Sequence, residues 1–282
     1  MVGLGDTKGD QWNDMAKAYN KITVETSHTP IEKMLERSNA LLPLSEATGI
    51  LDNGCGPGPI MSRLLDGYKV PDSCSLTCSD FSEGMVDQVR QAKEAAVKED
   101  SESPWSRVQL MRQDAMDLQN VEDESKSHVT AGWVYFMTPD PQKCLRESKR
   151  VLKDGGVLAC SSWKESQWLD LMMMLKDIRP DKEMPSMPKE WTSVENIKIE
   201  LERAGYRDVE SHEVATTLSY EERDTFVDFM FSKMPHMVAM MGDVTAEEKV
   251  KLLEHVSNEA KKMCPDEPGK LKGTALVAVG RK

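Results

Sequence analysis

The chain has 282 residues, and its 36 Lys and Arg residues against 48 Asp and Glu residues give a net charge of −12 at pH 7. This length accommodates one elaborated α/β domain, or a core with a smaller lobe, and either arrangement can bury a sizeable core. The negative charge repels a phosphate backbone, and no block of five or more Lys and Arg residues compensates for it, so nucleic acid is an unfavourable partner.

The composition also predicts a protein without membrane spans, disulfides or a metal site. The longest apolar clusters fall far short of the roughly 18 apolar residues of a membrane-spanning helix. The first residues include an early acidic residue and no apolar secretory segment, so we expect a cytoplasmic protein. No C-x-x-C pair and no histidine at metal-ligand spacing is present, so we expect free, mostly buried thiols. The cysteines are Cys55, Cys74, Cys78, Cys144, Cys160 and Cys264.

Short apolar runs alternate with longer amphipathic stretches between residues 48 and 162, a pattern typical of parallel strands joined by crossover helices. The predicted strands are Gly49–Asp52, Ser75–Ser79, Val108–Arg112, Val129–Val134 and Val157–Ser161. Met85–Lys98 and Gln142–Leu152 have helical spacing and are predicted to pack on this sheet. The polar stretches Glu99–Ser106 and Asp117–Ser127 are predicted as surface loops. We therefore expect an α/β fold with a doubly wound, mostly parallel sheet.

Beyond Trp163 the pattern changes to methionine-rich segments that look inserted. Trp168–Ile178 and Tyr220–Met241 are predicted as helices, separated by a proline-bearing loop. A further helix is predicted over Ser193–Ala204 and a strand over Val209–Leu218. A late strand is predicted over Thr274–Val279, and we expect it to join an edge of the sheet.

A glycine-rich loop, LDNGCGPGPI at residues 51–60, joins the first strand to a helix. Gly54, Gly56 and Gly58 let the backbone turn sharply, and we expect them to leave N–H groups uncovered for a ligand. The nicotinamide dinucleotide fingerprint G-x-G-x-x-G is not met, because its third position falls on Pro59, which has no N–H for a pyrophosphate. The loop therefore suits a smaller anionic group such as an amino-acid carboxylate, although a tight turn without a ligand is the alternative.

Two carboxylates follow the next strands. Asp80 closes the second strand, where it can accept hydrogen bonds from ribose hydroxyls. Asp114 ends the third strand and is placed to accept a hydrogen bond from the exocyclic amine of a base, for which adenine is suited. Phe81 and Met85 offer apolar faces for a purine, although core packing is the favoured interpretation for each taken singly. Asp114 taken alone would be an ordinary loop carboxylate.

Together these segments resemble class I S-adenosylmethionine-dependent methyltransferases. Residues 51–58 resemble the family's D-x-G-x-G-x-G motif, with Asp52 as its acidic member. The segments CSDFS at 78–82, QDA at 113–115 and LRESKRVLKDGG at 145–156 resemble its ribose-binding segment, its adenine-binding segment and the helix and turn before the fifth strand. The resemblance implies a Rossmann-like sheet with an antiparallel last strand and S-adenosylmethionine as cofactor. The cofactor residues it implies are Tyr19, Asp52, Gly54, Cys55, Gly56, Gly58, Asp80, Phe81, Met85, Asp114 and Ala115.

The resemblance also implies a domain organisation. In the family the chain before the first strand folds over the cofactor as a lid, and QWNDMAKAY at residues 11–19 resembles that segment, with Tyr19 near the methionine carboxylate. We therefore expect a helical lid at residues 1–45 and a cofactor-binding core at 46–162. Residues 163–282 would hold the rest of the core with helical insertions that cap the substrate. Within the family the chain is similar to ubiquinone-biosynthesis-like small-molecule methyltransferases, including fungal thiol methyltransferases that cap gliotoxin-type dithiols.

The acceptor is accordingly predicted to be a small molecule bound by a monomer. Aromatic residues that follow the fourth and fifth strands, together with the lid, are the predicted acceptor contacts: Trp12, Met15, Trp133, Phe136, Trp163 and Trp168. The methionines of the inserted segments could also line an adaptable pocket, but core packing is the favoured interpretation. His236 lies among methionines and is the candidate catalytic base.

Sulfur is the favoured acceptor atom, with oxygen as the alternative. An alcohol needs a strong base to remove its proton, and no local Lys-His or Asp-His pair in the sequence indicates one. A thiol forms its thiolate more readily. A nicotinamide-dependent oxidoreductase and a non-catalytic protein with a methyltransferase fold remain as alternatives from other classes.

Overall fold

A computed structural model describes residue 12 and residues 16–282, with side chains described for residue 12 and residues 25–282. Seven strands form one sheet in the order β3-β2-β1-β4-β5-β7-β6. The strands are β1 (Gly49–Asn53), β2 (Ser75–Asp80), β3 (Val108–Arg112), β4 (Lys126–Gly132), β5 (Leu152–Ser166), β6 (Arg207–Tyr220) and β7 (Gly269–Arg281). Strands β1 to β5 pair in parallel, and β7 runs antiparallel to both β5 and β6. The predicted doubly wound sheet with an antiparallel last strand is confirmed.

Helices cover both faces of this sheet. The described helices are α1 (Ala16–Leu41), α2 (Pro59–Gly67), α3 (Glu83–Glu99), α4 (Pro141–Val151), α5 (Gln167–Met173), α6 (Leu175–Ile178), α7 (Val194–Arg203), α8 (Arg223–Lys233), α9 (Pro235–Met241) and α10 (Ala246–Met263). Alternate strand residues point to opposite faces, as the pleat requires. Leu51 and Leu158 lie in the core beneath α4 and α7, whereas Ile50 and Ala159 lie in the core beneath α1, α2 and α3.

A third apolar cluster lies among the later helices. Residues of α5, α6, α8, α9 and α10 pack together with the start of β7 and the end of β6. Met172, Met230, Met237 and Met240 are buried within this cluster. These four methionines therefore serve as core residues, as the favoured interpretation predicts, whereas Met173 is exposed and the partly buried Met234 also packs against Trp12 and Met85.

The boundaries of several elements differ from the predictions. The last strand does not join an edge, because β7 inserts between β5 and β6 and pairs with both. The helix predicted over Tyr220–Met241 begins only at Arg223, since Tyr220 ends β6, and it is interrupted before Pro235, which lacks the N–H that a helix interior needs. Trp168–Ile178 likewise forms the two short helices α5 and α6.

Three further predicted boundaries were wrong around the fourth and fifth strands. The loop predicted over Asp117–Ser127 ends early, because Lys126 starts β4 and donates hydrogen bonds to the hydroxyls of Ser75 and Thr77 at 3.3 and 3.0 Å. β4 ends at Gly132 instead of Val134, and β5 extends to Ser166 and so contains Trp163.

Helix α10 was not predicted at all. Its start carries a capping box, in which the Thr245 hydroxyl accepts from the Glu248 N–H and the Glu248 carboxylate accepts from the Thr245 N–H. This signal was present in the sequence. In the described part of the chain, no helix is both long and apolar enough to cross a membrane.

Candidate active site

A cavity of about 430 Å³ opens where β1, β2, β3 and β4 end at their carboxyl termini. In an α/β sheet of this kind, ligands bind at the carboxyl edge of the strands. The structure brings many of the predicted site residues together there. Those that line the cavity are Trp12, Gly54, Cys55, Gly56, Asp80, Phe81, Met85, Asp114, Ala115 and Trp133.

Other predicted site residues lie away from this cavity. Asp52 is buried in β1, Gly58 packs toward Val89, and Phe136 is buried in the core beneath α4. Trp163, Trp168 and His236 belong to β5, α5 and α9, and none of them lines the cavity. Met15 lies outside the described residues, and Tyr19 is in α1 but its side chain is not described.

The glycine loop wraps tightly onto the end of β2. Gly54, Gly56 and Gly58 have φ values of +72°, +53° and +90°, which favour glycine. The N–H groups of Gly54 and Cys55 donate to the Ser79 carbonyl at 2.7 and 2.9 Å. The Gly56 N–H donates to the Asp80 carboxylate at 2.9 Å, and the Gly58 N–H donates to the Cys55 carbonyl at 3.0 Å. The prediction that this loop leaves its N–H groups uncovered is therefore wrong for these four residues.

The loop instead allows a ligand to approach its backbone closely. A Cβ atom on Gly56 would meet no atom within 4 Å, so the space beside this residue is open. A Cβ atom on Gly54 would lie 2.4 Å from Val134 Cγ2, so the loop and the chain after β4 are in direct contact. The glycines thus bring the backbone to the cavity wall without a side chain in the way.

Asp80 is 7% exposed and holds the loop in place. Its Oδ2 accepts from the Gly56 N–H and its Oδ1 from the Ser82 N–H, both at 2.9 Å. Burial raises the pKa of Asp80 to about 6, although the backbone hydrogen bonds oppose that rise. Each carboxylate oxygen has a second lone pair, so Asp80 can still accept hydrogen bonds from a ligand in the cavity.

The end of β3 contributes two adjacent polar side chains. Asp114 is exposed, and its Oδ1 accepts from the Met116 N–H at 2.8 Å. Gln113 is 6% exposed and lines the cavity, yet neither its amide oxygen nor its amide nitrogen has a hydrogen-bond partner in the described structure. The sequence contained Gln113 within a family segment but gave no reason to single it out, because its burial depends on the fold.

Beneath the loop, Asp52 is fully buried. Its Oδ1 accepts from the Thr130 hydroxyl at 2.8 Å, and its Oδ2 has no partner among the described residues. Burial raises the pKa of Asp52 to about 7. This carboxyl group does not touch the cavity, but it lies directly under the strand end that starts the loop.

Trp133 forms the wall after β4. It is a non-glycine residue with φ +55°, and its backbone N–H donates to the Ser161 hydroxyl at 3.1 Å. Its ring stacks on Trp163 with centroids 5.2 Å apart, and Trp163 meets Trp168 edge to face at 5.1 Å. A strained backbone conformation of this kind is held by its surroundings. The three indoles therefore form a continuous series of ring contacts from the cavity to α5.

A second, wider cleft of about 810 Å³ lies between α1, α5 and the strands β6 and β7. Its walls carry mostly hydroxyl-bearing and charged side chains, including Glu25, His28, Asp170 and Lys272. No predicted site residue with a described side chain lines it. We therefore place the candidate site in the smaller cavity, where the motif residues converge.

Comparison with known proteins identifies the family. A family model described as a methyltransferase domain matches residues 51–160. The methyltransferase ucsB of an Acremonium species is 40% identical over 275 residues, which cover 97% of this chain and 95% of that protein. This chain belongs to the S-adenosylmethionine-dependent methyltransferases. The methyltransferase tpcH of Aspergillus fumigatus is 29% identical to it over 249 residues, 83% of this chain and 84% of that protein.

Solved structures share the fold of this methyltransferase. Phosphoethanolamine N-methyltransferase 2 of Haemonchus contortus, in complex with S-adenosyl-L-methionine, has a TM-score of 0.56 at 14% identity and covers 99% of this chain and 60% of its own. The YcgJ protein of Bacillus subtilis has a TM-score of 0.56 at 16% identity, with 90% of this chain and 98% of its own covered. The predicted family and cofactor are confirmed, and the nicotinamide-dependent alternative falls away.

The cavity of this methyltransferase fits the cofactor. An adenosine needs acceptors for ribose hydroxyls, polar partners for a purine edge and apolar surface for the ring. Asp80 retains lone pairs that can accept from ribose hydroxyls. Gln113 and Asp114 present polar groups that suit the edge of a purine. Phe81 and Met85 supply apolar surface in the same cavity. The unpartnered amide of Gln113 is the clearest structural sign that a polar ligand belongs there.

Proposed function

We propose that this methyltransferase acts on a small natural-product-like acceptor, and that the acceptor atom is sulfur, as in a gliotoxin-type dithiol. Three relatives are fungal proteins named as methyltransferases, which supports a fungal small-molecule role. Oxygen of a phenol or alcohol is the alternative acceptor atom.

In this proposal Asp80 accepts hydrogen bonds from the ribose hydroxyls of the cofactor. Asp114 accepts from the exocyclic amine of adenine, and Phe81 and Met85 contact the faces of the purine. Asp80 is held by two backbone N–H bonds and Asp114 by one, so neither carboxylate has to reorganise when the ligand arrives. Such preorganisation lowers the entropic cost of binding.

S-adenosylmethionine supplies a methyl group on a positively charged sulfur, and this group reacts directly with a nucleophile. The protein must therefore align the acceptor and exclude water. We assign Trp133 to this task, because it lines the cavity and its ring is fixed by the stack on Trp163. Trp12 is buried and lines the same cavity, so it supports a role for the lid segment in excluding water.

The observation that carries the choice of sulfur is the chemistry of the cavity wall. Of the described residues that line it, the ionisable ones are Cys55, Asp80 and Asp114. The pKa of Cys55 is raised well above its usual range, first by its hydrogen bond with Cys78 and then by burial, so it stays a thiol. Carboxylates are weak bases for removing a proton from an alcohol. A thiol acceptor, with a pKa of about 8.5, ionises with the least help.

His236 remains the candidate base for the oxygen alternative. Burial lowers its pKa to about 4, so it is neutral at physiological pH but only weakly basic. It lies in α9 and does not line the cavity. For a thiol acceptor we therefore propose that His236 is dispensable.

The test is a screen of thiol, phenol, amine and carboxylate acceptors scored by methyl transfer from labelled S-adenosylmethionine. We expect thiols to react, with a rate that rises toward the pKa of the acceptor thiol, and His236→Ala to retain most of the activity. His255→Ala serves as the matched control, since His255 lies on α10 and pairs with Asp177.

Two results would contradict the sulfur proposal. One is that phenols react while thiols are inert. The other is that His236→Ala abolishes turnover although calorimetry shows the cofactor still bound. Either result would favour an O-methyltransferase that uses a histidine base.

A further inference from the structure

Gln113 is a buried amide that the fold leaves without a partner. Its side chain is 6% exposed, and both Oε1 and Nε2 lack a hydrogen bond within the described structure. Buried polar groups in native proteins are nearly always paired, so an orphaned amide at a cavity wall needs an explanation. A ligand that enters the cavity can provide the missing partners.

The position of Gln113 indicates which part of the ligand its amide would contact. Its backbone N–H donates to the Asp80 carbonyl at 2.9 Å, which fixes it beside the carboxylate assigned to ribose. The next residue in the chain, Asp114, is exposed, and its carboxylate already accepts a hydrogen bond from the Met116 N–H. The Gln113 side chain lines the same cavity as Asp80 and Asp114. An adenosine whose ribose binds Asp80 can therefore bring its base to the end of β3, where Gln113 lies.

We propose that Gln113 pairs with the adenine of the cofactor, donating from Nε2 to a ring nitrogen and accepting at Oε1 from the exocyclic amine. Adenine presents a donor beside an acceptor, and a glutamine amide matches that pair with two parallel hydrogen bonds. The exocyclic amine carries two hydrogens, so Asp114 can accept one of them while Gln113 accepts the other. A carboxylate such as Asp114 can only accept, so it cannot also donate to the ring nitrogen. Gln113 is therefore the residue that selects the base, and this role does not depend on which acceptor the enzyme methylates.

The experiment compares Gln113→Leu with the wild-type protein by calorimetry and competition. Leucine removes the amide while keeping most of its volume. Gln109→Leu is the matched control, because Gln109 lies on β3, the strand that leads into Gln113, but is exposed. The ligands are S-adenosylhomocysteine, 5′-methylthioadenosine, which keeps the base but lacks the amino acid, and S-ribosylhomocysteine, which lacks the base.

We expect Gln113→Leu to bind S-adenosylhomocysteine and 5′-methylthioadenosine about tenfold more weakly, the loss of one to two hydrogen bonds. Its affinity for S-ribosylhomocysteine should be unchanged, and Gln109→Leu should match the wild-type protein with all three ligands. The melting temperature of ligand-free Gln113→Leu should be equal or higher, because the variant no longer buries an unpaired amide.

Unchanged affinity for S-adenosylhomocysteine would overturn the proposal. An equal loss for S-ribosylhomocysteine would also overturn it, since the amide would then act on the ribose or on the cavity as a whole. If Gln113→Leu does not fold, Gln113→Met in the same titrations decides between the same outcomes.

Discussion

Asp52 and Asp80 lie on two adjacent strands and show how the surroundings of a carboxyl group decide its role. Asp80 is satisfied at both oxygens by backbone N–H groups and faces the cavity. Asp52 has one hydroxyl partner and one unpaired oxygen in the core. Burial raises the pKa of both groups, to about 6 and about 7 respectively.

This arrangement predicts a particular pH dependence of stability. The native protein retains the Asp52 proton up to about pH 7, whereas an unfolded chain loses it near pH 3.9. The unfolded state therefore binds fewer protons between these values, and the free energy of unfolding falls as the pH rises from about 4 to about 7.

Asp52→Asn removes the ionisable group while preserving its shape. We expect the variant to lose part of this pH dependence and to be more stable than the wild-type protein at pH 8 by about 2–4 kcal/mol. Urea unfolding at pH 5 and pH 8 measures both quantities. Asp66→Asn, at an exposed position of α2, is the control. If the variant and the wild-type protein showed the same difference between the two pH values, the account of Asp52 would be wrong.

The glycine loop offers a second contrast between neighbouring residues. Alanine at Gly54 or Gly56 must adopt a left-handed conformation, which costs about 1–2 kcal/mol. At Gly54 the added methyl group also displaces Val134, whereas at Gly56 it meets no atom within 4 Å. We expect Gly54→Ala to be the less stable variant in urea unfolding, by about 1–3 kcal/mol more than Gly56→Ala. Equal stability of the two variants would argue against the contact between the loop and Val134.

At the residue level, spacing in the sequence correctly placed Asp80 and Asp114 at strand ends. It failed for the N–H groups of Gly54, Cys55 and Gly56, because their partner carbonyl and carboxylate belong to the end of another strand. It also passed over Gln113, whose significance lies in burial without a partner. Such features depend on tertiary contacts that a local pattern does not contain.

Among the elements, β5 is the one whose length changes the interpretation of the site. It extends to Ser166, so Trp163 lies within the strand, and its ring stacks on the ring of Trp133. Trp163 does not line the cavity itself but contacts Trp133, which does. We therefore predict that Trp163 positions the acceptor through Trp133 and makes no direct contact with it.

Trp163→Ala should impair the use of the acceptor without weakening the binding of the cofactor. We expect KM for the acceptor to rise or kcat to fall by up to about tenfold, because an aromatic pair contributes about 0.5–1.5 kcal/mol. Calorimetry should find the affinity for S-adenosylmethionine nearly unchanged, and Trp163→Phe should restore most of the kinetics. A collapse of cofactor binding with unchanged acceptor kinetics would reverse the assigned roles.

Periodicity was most informative where an element is short and regular. It predicted β1, β2, β3 and α7 to within a residue or two. Periodicity placed Lys126 in a loop, because a charged residue is usually exposed. Its hydrogen bonds to two hydroxyls of another strand depend on the fold and are not visible in the local sequence. Helix α10 was missed for a different reason. Its capping box at Thr245 and Glu248 is visible in the sequence but was not used to predict a helix there.

On the scale of the whole molecule, the order of four motifs was enough to predict the fold class, and it placed motif residues at the sheet edge where the cavity opens. The insertion of β7 between β5 and β6 was not predictable in this way, because both of its partners are distant in the chain. The division into a lid at 1–45, a core at 46–162 and a remainder at 163–282 stays a proposal, as do the monomeric state and the cytoplasmic location.

The central claim is that the cavity at the carboxyl edge of the sheet binds S-adenosylmethionine with Asp80 on the ribose. Calorimetric titration of the cofactor into the wild-type protein, Asp80→Ala and the exposed control Asp66→Ala tests it most directly, with circular dichroism to confirm that each variant is folded. We expect Asp80→Ala to bind one to two orders of magnitude more weakly, which corresponds to about 1.5–3 kcal/mol for hydrogen bonds to a charged group, and Asp66→Ala to bind as the wild-type protein does. Unchanged affinity in a folded Asp80→Ala variant would contradict the account.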